Sequence, residues 1–277
     1  MPPRVELEAV PYFPQEAYQC GPAALAMALQ WSGLSIRPAS LTDQVYTPFR
    51  KGSLQAAMIS AARRHGRIAY VTTGMDALFA ELAGSHPLIV LQNLGRTWYP
   101  IWHYAIVIGY DVAAELVILH SGVTARKRMS WAVFQRAWAA SNYWGLVILR
   151  PTQLPVTAQL QPFLTAVHGL ERAGQWQAAI AGYETALARW PDSLAAIMGR
   201  GNSYYAQGDL EQAEASFREA IRRHPTAGSA FNNLAHVLAE RGQRSQALEA
   251  ARKAVALGGP QAAVYQKTLE EIQTKLE

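Results

Sequence analysis

A period of 34 residues runs through the second half of this 277-residue chain. Small or turn-forming residues recur at that step in three series: Gly174, Gly208, Gly242; Ala179, Ala213, Ala247; and Ala186, Ala220, Ala254. Pro191 and Pro225 keep the step, Pro260 lies one residue off it, and Tyr183, Phe217 and Ala251 stand between the alanines. Small residues let two antiparallel helices approach closely, glycine closes the turn between them, and proline ends the second helix. The pattern therefore predicts stacked helix pairs.

This pattern resembles the tetratricopeptide repeat, whose period is also 34 residues. Three units fit between about Leu160 and Gln261, and residues 262–277 are expected to form a capping helix with a polar outer face. Arrays of this kind usually bind peptides or proteins in a concave groove, so the resemblance implies a protein partner. A purely structural appendage is the alternative.

The composition changes near Pro151 and Pro155. Before these prolines, β-rich apolar runs alternate with helical patterns, whereas the chain beyond them is helical throughout and rich in Ala, Glu and Arg. Two prolines among polar neighbours are typical of a linker. We predict a first domain over residues 1–150, a linker over 151–159 and the repeat array over 160–277.

The first domain is predicted to be α+β. Helices are expected at 21–32, 54–65, 75–84 and 130–139, and strands at 68–73, 87–93, 102–111, 115–121 and 143–150. Because helices come first and a mostly antiparallel sheet follows, the order favours α+β over a parallel α/β fold.

Cys20 is the only cysteine, and it directly precedes the apolar helical run that begins at Ala23. A helix N-terminus presents unpaired N–H groups and partial positive charge, which favour thiolate over thiol, so we expect a depressed pKa for Cys20. A lone cysteine is otherwise most often a small buried apolar residue. His103 opens a β-run 83 residues later. Cysteine at a helix start and histidine on a distant strand are typical of thiol proteases.

Two segments carry a family resemblance. The segment from Val10 to Leu29, with its Cys-Gly-Pro-Ala motif, and the segment from Trp102 to Asp111 resemble the bacteriocin-processing, double-glycine-leader cysteine peptidases and their relatives. The match spans about residues 10–150. These proteins have papain-like folds, so the resemblance implies a Cys–His peptidase with Cys20 as nucleophile and His103 as general base.

The resemblance also implies a glutamine upstream of the nucleophile that helps to form the oxyanion hole. Gln15 is our candidate, and we expect its side-chain N–H₂ group and the backbone N–H of Cys20 to donate together to the oxyanion. It lies five residues before Cys20, where papain-like enzymes usually have six. Gln19, directly adjacent to Cys20, is the alternative.

The third member of the site departs from the family pattern. Relatives carry an aspartate on the strand after the histidine strand, and His120 takes that place here. We expect His120 to pair within a residue or two of His103 and to orient it as a neutral acceptor, with Ser121 as second choice and Asn142 as a remote third. Asp111 lies eight residues along the strand from His103, roughly 26 Å away, and cannot reach it.

Several classes of partner are excluded. The net charge is +5, with 13 Lys/Arg against 8 Asp/Glu in residues 1–155 and 12 of each beyond, but no basic run has the length or interleaved aromatics of a nucleic-acid tract. No apolar run approaches the roughly 20 residues of a transmembrane helix. A single cysteine excludes an internal disulfide and a thiolate metal cluster, and the other histidines show no ligand spacing. We therefore expect no metal and no cofactor.

The sequence predicts a cysteine peptidase that cleaves a peptide or protein substrate through a thioester, while the repeat array recruits substrate or partner. Transpeptidation by the same site stays open. The alternative is a catalytically weak or inactive papain-like domain that scaffolds, with the array, a complex in the bacterial cell envelope. Met1 to Ala9 resembles the start of a mature domain, so we expect an envelope or periplasmic protein whose precursor carries a signal sequence; a cytoplasmic location is the alternative.

Overall fold

The computed structural model describes residues 2–15 and 18–274. It contains two compact units, Met1–Gln175 and Trp176–Glu277. The first unit contains β1 (Arg4–Glu6), α1 (Cys20–Trp31), α2 (Thr42–Val45), β2 (Tyr46–Thr47), β3 (Gly52–Ser53), α3 (Gln55–Arg64), β4 (Ile68–Thr73), α4 (Met75–Ala83), β5 (Leu88–Asn93), β6 (Trp102–Asp111), β7 (Leu116–Ser121), β8 (Thr124–Ser130), α5 (Trp131–Ala139), β9 (Trp144–Leu149) and α6 (Leu160–Arg172). The second contains α7 (Trp176–Arg189), α8 (Leu194–Ala206), α9 (Leu210–Arg223), α10 (Gly228–Glu240), α11 (Arg244–Leu257) and α12 (Ala262–Thr274).

The first unit has an antiparallel sheet with the strand order β4-β9-β5-β6-β7-β8, and β1 pairs with β6. The four predicted helices and five predicted strands all form, which confirms the α+β fold. The edge strand β8 was not predicted. Its sequence around Arg126, Lys127 and Arg128 is largely exposed and basic, so it lacks the apolar alternation that marks a half-buried strand.

Helix α1 forms the centre of this unit. Residues Gly21 to Leu29 are all buried, and the helix packs on the sheet against alternate residues of β6, Tyr104, Ile106 and Ile108. Gly21 is required by close approach, since a Cβ there would lie 2.2 Å from the Ser53 hydroxyl oxygen. The Tyr104 hydroxyl donates to the Ser53 carbonyl at 3.2 Å, which ties β3 to the sheet beside the start of α1.

The second unit is a run of antiparallel helices whose turns fall where the period predicts. Gly208 and Gly242 have φ of +80° and +75°, the left-handed region that glycine adopts without strain. A Cβ on Gly201 would lie 2.6 Å from the Phe217 ring, so the glycine lets α8 and α9 approach closely. The predicted helical array is confirmed, and the predicted capping helix is α12 over Ala262–Thr274, while residues 275–277 lie outside the described part of the chain.

The compact units divide later in the chain than the composition does. Helix α6, the first helix of the predicted array, belongs to the first unit, where it packs on β4 and α3. The segment before it is tied to the same unit, because the Tyr70 hydroxyl donates to the Thr157 carbonyl at 3.0 Å. Within residues 2–15 and 18–274, no helix has the length and apolar character needed to cross a bilayer.

Candidate active site

Cys20 is the first residue of α1, and its thiol is partly exposed. The backbone N–H groups of Tyr104, Gly21 and Cys20 itself lie close enough to the thiol to lower its pKa. Since Tyr104 directly follows His103, the sulfur lies against the peptide group that joins His103 to the next residue of β6. The fold therefore brings the helix start and the histidine strand together at one peptide.

The expected depression of the Cys20 pKa is wrong. Burial raises the pKa of the thiol, and the nearby backbone N–H groups of Tyr104, Gly21 and Cys20 lower it by less. Desolvation has the larger effect on this pKa because burial disfavours the charged thiolate relative to the neutral thiol. The resting form at neutral pH is thus the protonated thiol.

His103 is the second residue of β6, and its Nε2 lies 2.9 Å from the Ser121 hydroxyl oxygen. Burial, with a smaller contribution from the positive charge of Lys127, lowers the pKa of His103 to about 4. The imidazole is therefore neutral at pH 7, and Nδ1 is the nitrogen not bound to Ser121. Among the described residues, no hydrogen bond or ion pair joins the Cys20 sulfur to this ring.

His120 does not orient His103, contrary to the prediction. A register shift between Val107 and Gly109 leaves His120 opposite Ile106. Ile106 is an odd number of residues from His103, so His120 lies on the face of β6 that packs on α1, and His103 lies on the other face. Both of its nitrogens are engaged: Nδ1 accepts the Arg126 N–H at 3.0 Å, and Nε2 lies 3.3 Å from the Val10 carbonyl.

Ser121, the second choice of the sequence analysis, is the residue that contacts His103. Asn142 lies in the left-handed turn between α5 and β9, with φ of +54°. Asp111 lies at the β6–β7 hairpin turn, as predicted, where its Oδ1 accepts the Ala114 N–H at 3.0 Å. Among the described residues, the hydrogen-bond partner of His103 is therefore a hydroxyl group and not a carboxylate.

Gln15 is buried and joins the two strands that carry His103 and Ser121. Its Oε1 accepts the Gly122 N–H at 3.1 Å, and its Nε2 donates to the Tyr104 carbonyl at 3.4 Å. Its own backbone N–H also donates to the Gly122 carbonyl at 3.1 Å. These bonds fix the direction of the amide and use one of its two Nε2 protons.

Gln19 is held elsewhere, since its Oε1 accepts the Thr42 hydroxyl at 3.1 Å. This bond turns the side chain toward α2, so Gln15 is the better placed of the two glutamines. Within the described parts of the chain, no group of three or more His, Cys, Asp or Glu side chains is arranged to hold a metal ion.

Residues 7–145, half of the chain, match the family model described as the Peptidase_C39 like family. The chain belongs to this family. Residues 164–228 match the tetratricopeptide repeat model. No curated protein matches the chain.

Solved structures similar to this chain fall into the same two groups. A putative C39-like peptidase from Bacillus anthracis is 17% identical with a TM-score of 0.44, over 53% of this chain and 97% of that one. The Sgt2 TPR domain from Aspergillus fumigatus is 22% identical with a TM-score of 0.40, over 43% and 80% of the two chains. The TPR2B domain of yeast Sti1, in a pHsp70 complex, is 16% identical with a TM-score of 0.40, over 42% and 97%.

The sequence reasoning missed two features of this site. The first is the backbone of Tyr104, whose carbonyl accepts from Gln15 and whose N–H lowers the pKa of Cys20. The residue type of Tyr104 gives no sign of this backbone role. The second is that Ser121, and not His120, contacts His103, which depends on a β-bulge in β6. The adjacency of the two residues in the sequence was the only hint.

Proposed function

We propose that this C39-like protein is a cysteine peptidase with a neutral resting Cys–His pair, supported by a helical module that binds its substrate or partner. The observation that carries the proposal is the Tyr104 peptide. The N–H group of Tyr104 lies near the Cys20 sulfur and lowers its pKa, the Tyr104 carbonyl accepts from Gln15, and the preceding residue, His103, contacts Ser121.

In the proposed reaction, the Cys20 thiol proton passes to His103 Nδ1 as the sulfur attacks the scissile carbonyl carbon. The oxyanion that forms accepts hydrogen bonds from the Cys20 N–H and the remaining Nε2 proton of Gln15. The C–N bond then breaks, and the amine leaves with the proton from His103. Water attacks the thioester, loses its proton to His103 and releases the acid with the free thiol. An amine in place of water gives transpeptidation.

The charges of the resting site favour general-base catalysis over a preformed thiolate–imidazolium pair. The pKa of Cys20 is raised and that of His103 is lowered to about 4, so the proton stays on sulfur until substrate arrives. The Ser121 hydroxyl positions the ring but stabilises the imidazolium less than a carboxylate does. We therefore expect a slow enzyme compared with one that has an aspartate at this position.

The helical unit has a cavity of about 290 Å³ that could hold part of a bound chain. Asn202, Tyr205, Phe217, Asn233 and His236 line it, and Asn233 Nδ2 donates to Asn202 Oδ1 at 2.9 Å. Amide side chains can pair with both the N–H and the C=O of an extended peptide backbone. We propose that this cavity recruits the protein to be cleaved, or a partner that delivers it.

A degenerate peptide-library digest with wild type and Cys20→Ala in parallel tests the peptidase proposal. We expect cleavage to fall at least about a thousandfold in Cys20→Ala and about a hundredfold in Gln15→Ala. Gln19→Ala is the matched control, since its amide is bound to Thr42, and we expect it to retain activity. Equal digestion by wild type and Cys20→Ala would contradict the proposal.

A second function is favoured by the raised thiol pKa and the missing carboxylate: a papain-like domain without turnover that acts with the helices as a protein-binding scaffold. The paired variant Asn202→Ala/Asn233→Ala separates the two roles. For a recruiting module it raises KM for a protein substrate and leaves cleavage of a short peptide unchanged. For a scaffold it abolishes partner binding, while Cys20→Ala binds normally.

A further inference from the structure

Exposed apolar side chains concentrate around the candidate active site. Among the described residues, 14 large hydrophobic side chains are exposed, and nine of them lie in segments that adjoin Cys20, His103 or Ser121. We call these nine the apolar rim: Tyr18, Phe49, Leu54, Leu94, Trp98, Tyr99, Ile101, Trp102 and Val123. Isolated exposed apolar residues are normal on soluble proteins, but a cluster marks an interaction surface.

The β5–β6 hairpin carries most of the rim. The Leu94 N–H donates to the Ile101 carbonyl at 2.9 Å, and Arg96 pairs with Tyr99, so the ladder continues past His103. The Trp98 tip consequently projects roughly 15 Å beyond His103 along the strand. Asn93 fixes the loop, because its Oδ1 accepts the N–H groups of Gly95 and Ile101, both at 2.9 Å. The indole of Trp98 is nevertheless 76% exposed.

Two further turns and the approach to α1 contribute the other members. Val123 follows Gly122 in the β7–β8 turn, next to Ser121. Phe49, in the turn between β2 and β3, is 101% exposed. Tyr18 stands two residues before Cys20, and the Lys51 ammonium lies 5.7 Å from its ring centroid. Phe49, Trp98 and Val123 thus occupy turns that adjoin the same end of the sheet and the start of α1.

Apart from the approach to α1, which contains Glu16, the segments of the rim have charge of one sign. Residues 44–54, 91–110 and 116–130 contain no Asp or Glu. Exposed basic residues accompany the aromatic ones: Arg50, Lys51, Arg96 and Arg128. The guanidinium of Arg96 lies 5.6 Å from the Trp98 ring centroid, so one tip presents an aromatic ring and a cation together.

We propose that the apolar rim docks this protein on an anionic membrane surface. Trp and Tyr rings are stable at the depth of lipid headgroups, and Arg and Lys attract anionic lipids. Apolar turns that project beyond the end of a strand, as the Trp98 turn does, insert readily into a flat interface. Docking in this way presents the Cys20 and His103 end of the sheet to the bilayer surface.

Vesicle flotation of the full chain tests the proposal. The probe is phosphatidylcholine vesicles containing about a third phosphatidylglycerol, with pure phosphatidylcholine in parallel. We expect wild type to float with the anionic vesicles and to be released as salt rises. Trp98→Ser/Tyr99→Ser should bind at least about tenfold more weakly, because the tip loses its interfacial aromatic rings.

The matched control is Val71→Ser/Val133→Ser, which removes two exposed apolar side chains outside the rim and should bind like wild type. Thermal unfolding of both double variants confirms that they fold. Wild type that fails to float with anionic vesicles overturns the proposal, as does equal floating of the two double variants. Capture of acidic, aromatic peptides by the rim without vesicle binding also overturns it. Neither readout requires cleavage, so failure here leaves the peptidase proposal standing.

Discussion

Two largely buried histidines of the first unit have different kinds of partner. His86 Nδ1 lies 2.7 Å from a carboxylate oxygen of Glu81, whereas His103 Nε2 lies 2.9 Å from the hydroxyl of Ser121. Burial alone would raise the pKa of Glu81, but hydrogen bonds from His86, Thr157 and Val156 outweigh it and lower that pKa. No such compensation reaches His103, whose pKa falls to about 4.

The difference shows that the buried carboxylate of Glu81 has a structural role. Glu81 accepts the N–H groups of Val156 and Thr157 at 3.1 and 2.8 Å, so its carboxylate anchors the segment after β9 to α4. The candidate catalytic histidine has only an uncharged partner. A hydroxyl can fix the direction of an imidazole without stabilising its protonated form, which leaves a neutral base.

The largest expected effect comes from removing the negative charge of Glu81 beside His86. Glu81→Gln should lower the free energy of unfolding by about 3 to 4 kcal/mol, because an amide N–H₂ replaces one acceptor among buried donors. Urea unfolding at pH 7 measures it. Glu249→Gln, an exposed helical position, is the control and should change stability by less than about 0.5 kcal/mol. Similar losses in the two variants would show that Glu81 does not act as an anchor.

The next effect is a pH dependence that comes from His103. Its folded pKa of about 4 lies below the unfolded value of 6.5. The unfolded chain therefore binds a proton first as pH falls, and stability that is complete above pH 6.5 is lost progressively toward pH 4. The loss should amount to about 2 to 3 kcal/mol.

Comparison with His103→Gln isolates this contribution. The pKa values of His65 and His120 are also lowered by burial, so both chains lose some stability in acid. Unfolding measured between pH 7 and 5 should show the steeper slope in wild type. Parallel slopes for the two chains would mean that His103 is not held neutral.

The two units also differ in how far their sequences predicted them. The turn glycines, among them Gly208 and Gly242, recur at a fixed step, and a repeated step specifies one local geometry many times over. In the first unit, the bounds of β6 were also predicted correctly, as 102–111, because its apolar run is long and has clear ends.

The site could be predicted only in part, because its geometry depends on register. Cys20 and His103 stood out by type and position, and Gln15 by the resemblance. The choice between His120 and Ser121 depended on one extra residue near Gly109, and a shift of one residue exchanges the two faces of a strand. Residue patterns contain no such information when both candidates are polar and adjacent. Desolvation of Cys20 was missed for a related reason, since burial is a property of the whole fold.

Ser121→Asp gives His103 a carboxylate partner, as Glu81 is for His86. A carboxylate beside His103 should raise the histidine pKa by about 1 to 2 units and favour a thiolate–imidazolium pair with Cys20. Histidine NMR titration measures the pKa, and the rate of Cys20 alkylation at pH 7 should rise with it. Thr124→Asp, an exposed residue paired with Ser121, adds the same charge without the contact. Equal shifts in both variants would mean that contact with the ring is irrelevant.

The smallest expected effect concerns Lys127, the like charge that lowers the pKa of His103 after burial. Lys127→Gln should raise that pKa by a few tenths of a unit, because only part of a screened repulsion is removed. Arg128→Gln is the control, since neighbouring residues of β8 point to opposite faces. The same titration measures both. A larger shift in Arg128→Gln would place the acting charge on the other face of the strand and contradict the assignment to Lys127.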